Sequence, residues 1–216
     1  MSNRCTYSNT HIRRYWIISV VSFLVFAGIA AVVMSEQEYG FDSFVTELVR
    51  GFEQPAVTDI AMGLTFIGSK GPIIIICIFI CALLYVFSLK REITFFLTVI
   101  LGSALLNILL KTLFRRNRPD VKRLVEAIGY SFPSGHAMAA FSLYGILIYL
   151  LWKHVKTLSL KALIFIVFGA MILGIGLSRI YLGVHYPSDV LGGFFASCSW
   201  LMLSIGIYEY LGSRSV

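Results

Sequence analysis

Six nearly unbroken apolar runs divide the chain, at residues 15–34, 72–88, 93–110, 137–152, 163–177 and 190–208. Crossing about 30 Å of hydrocarbon takes roughly 20 helical residues, and each run is near that length. The pattern predicts an all-α integral membrane protein of about six transmembrane helices. The shorter runs fit helices whose ends carry polar residues into a site. A soluble protein with this many greasy helices would need an outer polar shell that the sequence does not contain.

The stretch between the first two runs has a different period. Phe41, Phe44, Val45, Leu48, Val49 and Phe52 recur at helical spacing, with Asp42, Glu47, Arg50 and Glu53 opposite. This predicts an amphipathic helix lying along the membrane interface. Pro55 is expected to end it, and Thr58 or Asp59 to cap a further short helix through Leu64. The segment reads as a connector packed on the bundle more readily than as a lipid-access element. Gly102, Gly174, Gly176, Gly192 and Gly193 fall in or near apolar runs, where they let helices approach closely. There is no internal repeat and no second domain. Residues 1–216 form one membrane-embedded unit, with N-terminal helices and the interfacial segment in 1–92 and a four-helix catalytic core in 93–211.

Composition supports this picture: 58% of residues are hydrophobic and 13% are charged, far from the soluble average. The net charge of +7 comes from short Lys/Arg clusters between apolar runs, not from a basic tail or an aromatic-interleaved patch. No nucleic-acid partner is therefore expected. Cys5, Cys77, Cys81 and Cys198 lack metal-ligand spacing and read as small packing residues. Arg13 and Arg14 precede the first run as they would a signal peptide. That run is longer than a signal core and the Ala30–Ala31 cleavage site is weak, so an uncleaved helix is expected.

Six crossings with the N-terminus inside place Arg4, Arg13, Arg14, Lys90, Arg91, Lys153, Lys156, Lys161 and Arg214 on the inner side. Outside lie Arg50, Lys70 and one dense basic cluster. If that cluster has a chemical purpose, the remaining charges favour this orientation, as does the acid-rich outer stretch 36–59.

The cluster belongs to three patterns: KTLFRRNRP at 111–119, PSGH at 133–136 and SRIYLGVHYPSD at 178–189. Each begins or ends an apolar run. An even number of crossings separates the second pattern from the third, so all three return to one face of the membrane. Ionisable residues set among apolar runs mark a functional site. Lys111, Arg118 and Arg179 can surround the equatorial oxygens of a transferring phosphoryl group. Ser134 adds a hydroxyl donor, Gly135 lets the backbone approach, and the helix opened by His136 favours an anion at its N-terminus.

The spacing Lys-x6-Arg-Pro, then Pro-Ser-Gly-His, then Ser-Arg-x5-His-x3-Asp resembles the signature of the type 2 phosphatidic acid phosphatase family. Lys111, Arg118, Pro119, Pro133, Ser134, Gly135, His136, Ser178, Arg179, His185 and Asp189 match its fixed positions. The resemblance covers roughly the second half of the chain. It implies hydrolysis of the terminal phosphate of a membrane lipid phosphate or diphosphate, such as phosphatidylglycerophosphate, phosphatidic acid or undecaprenyl diphosphate. The reaction would pass through a phosphohistidine, at the outer face of the plasma membrane. His185 is the implied nucleophile, Asp189 orients it, and His136 is the general acid. Lys111, Arg118, Ser134, Gly135 and Arg179 are the implied phosphate ligands.

Neither metal nor cofactor is expected, because the cations already neutralise the phosphate and few acids lie among the patterns. A lipid phosphotransferase, or a phosphatase of a small soluble ester, stays open, as do the lipid and the oligomeric state. Arg115, Arg116, Lys122 and Arg123 are expected on a solvated or headgroup-facing surface, and Tyr181 and Tyr186 as interfacial anchors more readily than as site-lining residues. His11 and His154 are assigned no role.

Overall fold

The computed structural model describes residues 2–35 and 40–214, with side-chain surroundings from Ile12 onward. Expectations resting on the side chains of Arg4, Cys5 and His11, or on Glu36, lie outside those described residues. The helices are α1 (Ser2–Met34), α2 (Gly40–Arg50), α3 (Pro55–Ile67), α4 (Lys70–Val86), α5 (Lys90–Phe114), α6 (Gly135–His154), α7 (Leu158–Tyr181) and α8 (Pro187–Arg214). No strand occurs among the described residues. Five of these helices are long and apolar enough to cross a membrane: α1 from Ile12, α5, α6, α7 and α8. The pair α3–α4, bent by 52° at its break, passes the same test of length and apolarity only as a pair, which gives five to six candidate spans. The chain is a multi-pass membrane protein.

Burial follows the logic of a lipid solvent. Val20, Val21, Phe23 and Leu24 of α1 point outward, as do Ile74, Ile75, Ile78 and Phe79 of α4, where hydrocarbon solvates them. The centre is formed by α6 and α8, with half of each span buried against 11% for α7. Phe96, Val99, Leu143, Ile146, Ile175 and Ile205 fill the space between α5, α6, α7 and α8. Interior serines satisfy one another or the backbone: Ser142 donates to Ser103 at 2.7 Å and Ser197 to the Met138 carbonyl at 3.2 Å. Such bonds hold helices together where water cannot compete.

Close helix approach at glycine is borne out. A Cβ at Gly102 would lie 2.1 Å from the Trp200 ring, which stacks on that bare backbone and donates its N–H to the Val99 carbonyl at 3.0 Å.

Two local expectations change. Pro55 does not close the interfacial helix, which already ends at Arg50. It opens α3 as the first helical residue, where its missing N–H costs nothing. Thr58 does not cap a helix. It shares a hydrogen bond with the Tyr181 hydroxyl at 2.7 Å, and Tyr181 is a buried clamp between α3 and α7, not an interfacial anchor.

Candidate functional site

Three chain reversals bring the patterns together at one end of the bundle. Arg115 takes the left-handed conformation (φ 49°) and terminates α5, turning Arg116 back over the helix ends. Ser134 precedes α6, and its backbone N–H donates to the Asp189 carbonyl at 3.0 Å. This contact needs a bare α8, because a Cβ at Gly193 would come within 3.0 Å of the Ser134 carbonyl. Gly183 (φ 71°) makes the turn after α7. His185 follows it, and Pro187 starts α8, placing Asp189 in its first turn. The parity expected from the sequence is met: Lys111, Arg118, Gly135, His136, Arg179 and His185 all line one cavity of about 500 Å³. Ser134 and Asp189 sit buried beside it.

The cavity has two chemically different parts. One part carries Lys111, Arg118, Arg179 and both histidines, and Lys70 and Glu126 also line the cavity. The other part is Ile100, Ala104, Ile108, Met138 and Ala139, with Ser103 and Ser142.

Lys111 and Arg118 are tied to the loop that precedes α6. Lys111 donates to the Tyr130 carbonyl at 2.5 Å. Arg118 donates to the carbonyls of Gly129 at 2.9 Å, Ile128 at 3.0 Å and Val184 at 2.8 Å. Arg179 bonds the Thr65 hydroxyl, a partner from α3 that nothing in the sequence marks. Of the three buried side-chain donors without a protein partner among the described residues, two belong to these patterns, the Ser134 hydroxyl and Nε of Arg179; the third is Nε of Arg50. Leaving such groups unpaired is costly.

His185 is only 3% exposed. Its Nε2 faces Nη1 of Arg118 at 3.4 Å. On the other side, Nδ1 lies 3.4 Å from Oδ2 of Asp189 and 3.2 Å from the Ser131 hydroxyl. Ser131 donates to the same Oδ2 at 2.5 Å, so it accepts from Nδ1–H and passes the hydrogen-bond chain to the carboxylate. Pro187 does not disturb the pairing of His185 with Asp189, because it occupies the first position of α8. Burial, reinforced by Arg118 and Lys111, outweighs the opposing pull of Asp189 and lowers the His185 pKa to about 4. The ring is neutral at ordinary pH, and the tautomer with hydrogen on Nδ1 leaves the Nε2 lone pair facing the cavity.

Arg115, Lys122 and Arg123 are exposed as expected, but Arg116 is not a surface residue. Its Nη1 lies 2.6 Å from Asp189 and its Nη2 lies 2.9 Å from Asp42, both as ion pairs. Its guanidinium stacks on the half-buried Tyr186 ring at 4.0 Å, so Tyr186 also packs against a residue of the site. Ser131, Thr65 and Asp42 lie outside the three patterns, and Arg116 occupies a position within the first that its fixed residues do not include. Among the described residues, no group of three His, Cys, Asp or Glu side chains could hold a metal ion.

The model of the PAP2 superfamily matches residues 92–213. Phosphatidylglycerophosphatase B of Bacillus subtilis (strain 168) is 34% identical over 173 residues, covering 80% of this chain and 85% of that protein. A putative undecaprenyl-diphosphatase of Escherichia coli (strain K12) is 33% identical over 111 residues, about half of each chain. The crystal structure of a transmembrane PAP2-type phosphatidylglycerolphosphate phosphatase from Bacillus subtilis superposes with a TM-score of 0.83 at 32% identity, covering 90% of this chain and 97% of that one.

Proposed function

The chain belongs to the PAP2 superfamily and is a lipid phosphate phosphatase; we propose that it hydrolyses the terminal phosphate of phosphatidylglycerophosphate, without a metal, through a phosphohistidine on His185. One observation carries the reading. Two buried donors without protein partners, the Ser134 hydroxyl and Arg179 Nε, accompany a cavity where a neutral His185 presents Nε2 beside Arg118.

In the first step the Nε2 lone pair attacks phosphorus. The bond from phosphorus to the glycerol oxygen breaks, and that oxygen takes a proton from His136. In the second step His136 accepts a proton from water as the water oxygen attacks phosphorus. The P–N bond then breaks, releasing inorganic phosphate and restoring neutral His185. Lys111, Arg118 and Arg179 stabilise the equatorial oxygens in both transition states, with the Ser134 hydroxyl and the Gly135 backbone as further donors. The Asp189 carboxylate holds the ring tautomer directly and through Ser131.

Phosphatidylglycerophosphate is favoured by the relative matched over most of both chains. A second reading, a polyprenyl diphosphate substrate, has support from the shorter match to the Escherichia coli protein. In the proposed orientation the site faces outward, because Lys90, Arg91, Lys153 and Arg214 lie at the opposite helix ends.

The test is phosphate release by purified protein from phosphatidylglycerophosphate, phosphatidic acid, a polyprenyl diphosphate and a soluble monoester, with chelator present. The highest kcat/KM is expected on phosphatidylglycerophosphate. A preference for the diphosphate would replace the substrate, and loss of activity in chelator would overturn metal independence.

A further inference from the structure

The interfacial helix α2 carries a buried acid. Asp42 is only 4% exposed, whereas Phe41, Phe44 and Leu48 of the same helix point outward at 51%, 65% and 56%. A carboxylate taken out of water is destabilising by several kcal/mol unless it is paired and hydrogen-bonded. Asp42 has three donors: Arg116 Nη2 at 2.9 Å, the Ser188 hydroxyl at 2.6 Å and the Ser188 backbone N–H at 2.8 Å. The last is one of the first amides of α8, so Asp42 caps from outside the helix that bears Asp189.

The same guanidinium reaches the reacting groups. Arg116 Nη1 donates to Asp189 Oδ1 at 2.6 Å and to the Ser188 hydroxyl at 2.7 Å. Oδ2 of Asp189 is thereby left to Ser131, the Tyr186 N–H and the His185 side. One arginine thus spans two buried carboxylates, with a separate nitrogen for each.

We propose that Asp42 is a positioning residue for phosphoryl transfer: through Arg116 and the start of α8 it fixes how Asp189 faces His185. The proposal rests on the reading of His185 as nucleophile. Asp42 and Asp189 together outweigh the single charge of Arg116. With Asp42 neutral, Arg116 cancels Asp189, and the positive charge that grows on the His185 ring during attack loses its counter-charge. That charge exists only beyond the ground state, so kcat falls while KM stays near its original value. The phosphate-binding cations Lys111, Arg118 and Arg179 are untouched.

The experiment uses full-length protein in detergent, with Asp42→Asn, Asp42→Glu, Arg116→Met, the double variant Asp42→Asn/Arg116→Met, and His185→Ala. Asn keeps one acceptor oxygen for the Ser188 backbone N–H, but removes the charge together with the oxygen that accepts from Arg116 Nη2 and the Ser188 hydroxyl. Asp42→Asn is expected to lower kcat about tenfold with KM changed less than about twofold, on the scale of a small misplacement near the chemistry. In the Arg116→Met background the same change should cost less than about threefold, because the arginine through which it acts is gone. Asp42→Glu should recover part of the loss, which separates a charge effect from a folding defect. A wild-type kcat in Asp42→Asn, an unchanged kcat with raised KM, equal losses in both backgrounds, or no recovery in Asp42→Glu would each overturn the proposal. If His185→Ala keeps its activity, the nucleophile assignment fails and takes this proposal with it. An inactive His185→Ala beside an unaffected Asp42→Asn sinks the positioning role alone.

Discussion

Nε2 of His185 lies 3.4 Å from Nη1 of Arg118. A phosphoryl group approached by that nitrogen would have its oxygens beside the guanidinium before any bond has formed. Arg118 is also held by the carbonyls of Gly129, Ile128 and Val184, so its direction is fixed in advance. A lysine has one nitrogen and cannot keep that arrangement while serving an oxygen. Arg118→Lys is expected to lower kcat by about 10²-fold or more, the range seen when one transition-state donor is lost. Steady-state kinetics on one lipid phosphate would measure it, and a loss below threefold would remove Arg118 from the transition state.

Ser131 sits between the imidazole and the carboxylate, 3.2 Å from Nδ1 and 2.5 Å from Oδ2. Asp189 itself is 3.4 Å from Nδ1, a distance at which a direct bond is weak. Ser131→Ala should therefore lower kcat about tenfold. Asp189→Asn should cost far more, up to roughly 10⁴-fold if the wrong tautomer is selected, as in the serine-protease triad. Comparing kcat in the two variants decides the order, and an unaffected Ser131→Ala would show that Asp189 acts alone.

The displaced titration of His185 gives a signed pH dependence. Its native pKa of about 4 lies below the ordinary 6.5. Protonation removes the Nε2 lone pair, so the limb of kcat/KM set by this ring should descend as pH falls through about 4, not through 6.5. The unfolded chain binds this proton more readily than the native one. His185 therefore leaves stability intact above about pH 6.5 and lowers it as pH falls from there toward 4. A kcat/KM profile on a diphosphate substrate, set beside melting midpoints over the same range, would test both. An acid limb at 6.5 in each would place His185 in an ordinary environment.

His136 lines the cavity with His185 and is assigned to proton transfer. An alkoxide leaving from a monoester needs that proton, whereas a phosphate leaving from a diphosphate needs it less. His136→Ala is expected to cost about 10²–10⁴-fold on phosphatidic acid or phosphatidylglycerophosphate, and much less on a polyprenyl diphosphate. Equal losses on both substrates would remove the general-acid role.

The sequence made the long spans and their convergence legible, because hydrocarbon thickness dictates run length and parity dictates which ends meet. That parity puts the patterns bearing Lys111, Arg118, His136, Arg179 and His185 at one end of the bundle, and the turns at Arg115 and Gly183 bring them to one cavity. Asp42 was not legible because its helix is turned about. In a soluble amphipathic helix the apolar face meets protein, but in α2 only Val49 of that face packs on the core clusters while Phe41, Phe44 and Leu48 face outward and the polar Asp42 is buried. Arg116 was hidden by a left-handed turn at Arg115 that no motif announces. Thr65 and Ser131 are short hydroxyls whose roles depend on packing across elements distant in sequence, and the burial of Tyr181 follows from the docking of α3 on α7. Pro55 misled because proline both ends and begins helices, and only the chain after it tells which.

The central claim is a phosphoryl group carried on His185. The most direct measurement is rapid quenching of a labelled lipid phosphate with wild-type protein and His185→Ala, with alkali used to stop the reaction. The account predicts a phosphoryl adduct on wild type that survives alkali, is lost in acid as P–N bonds are, maps to His185, and is absent from the inactive variant. Turnover in His185→Ala, or wild-type turnover with any adduct mapping to another residue, would contradict it.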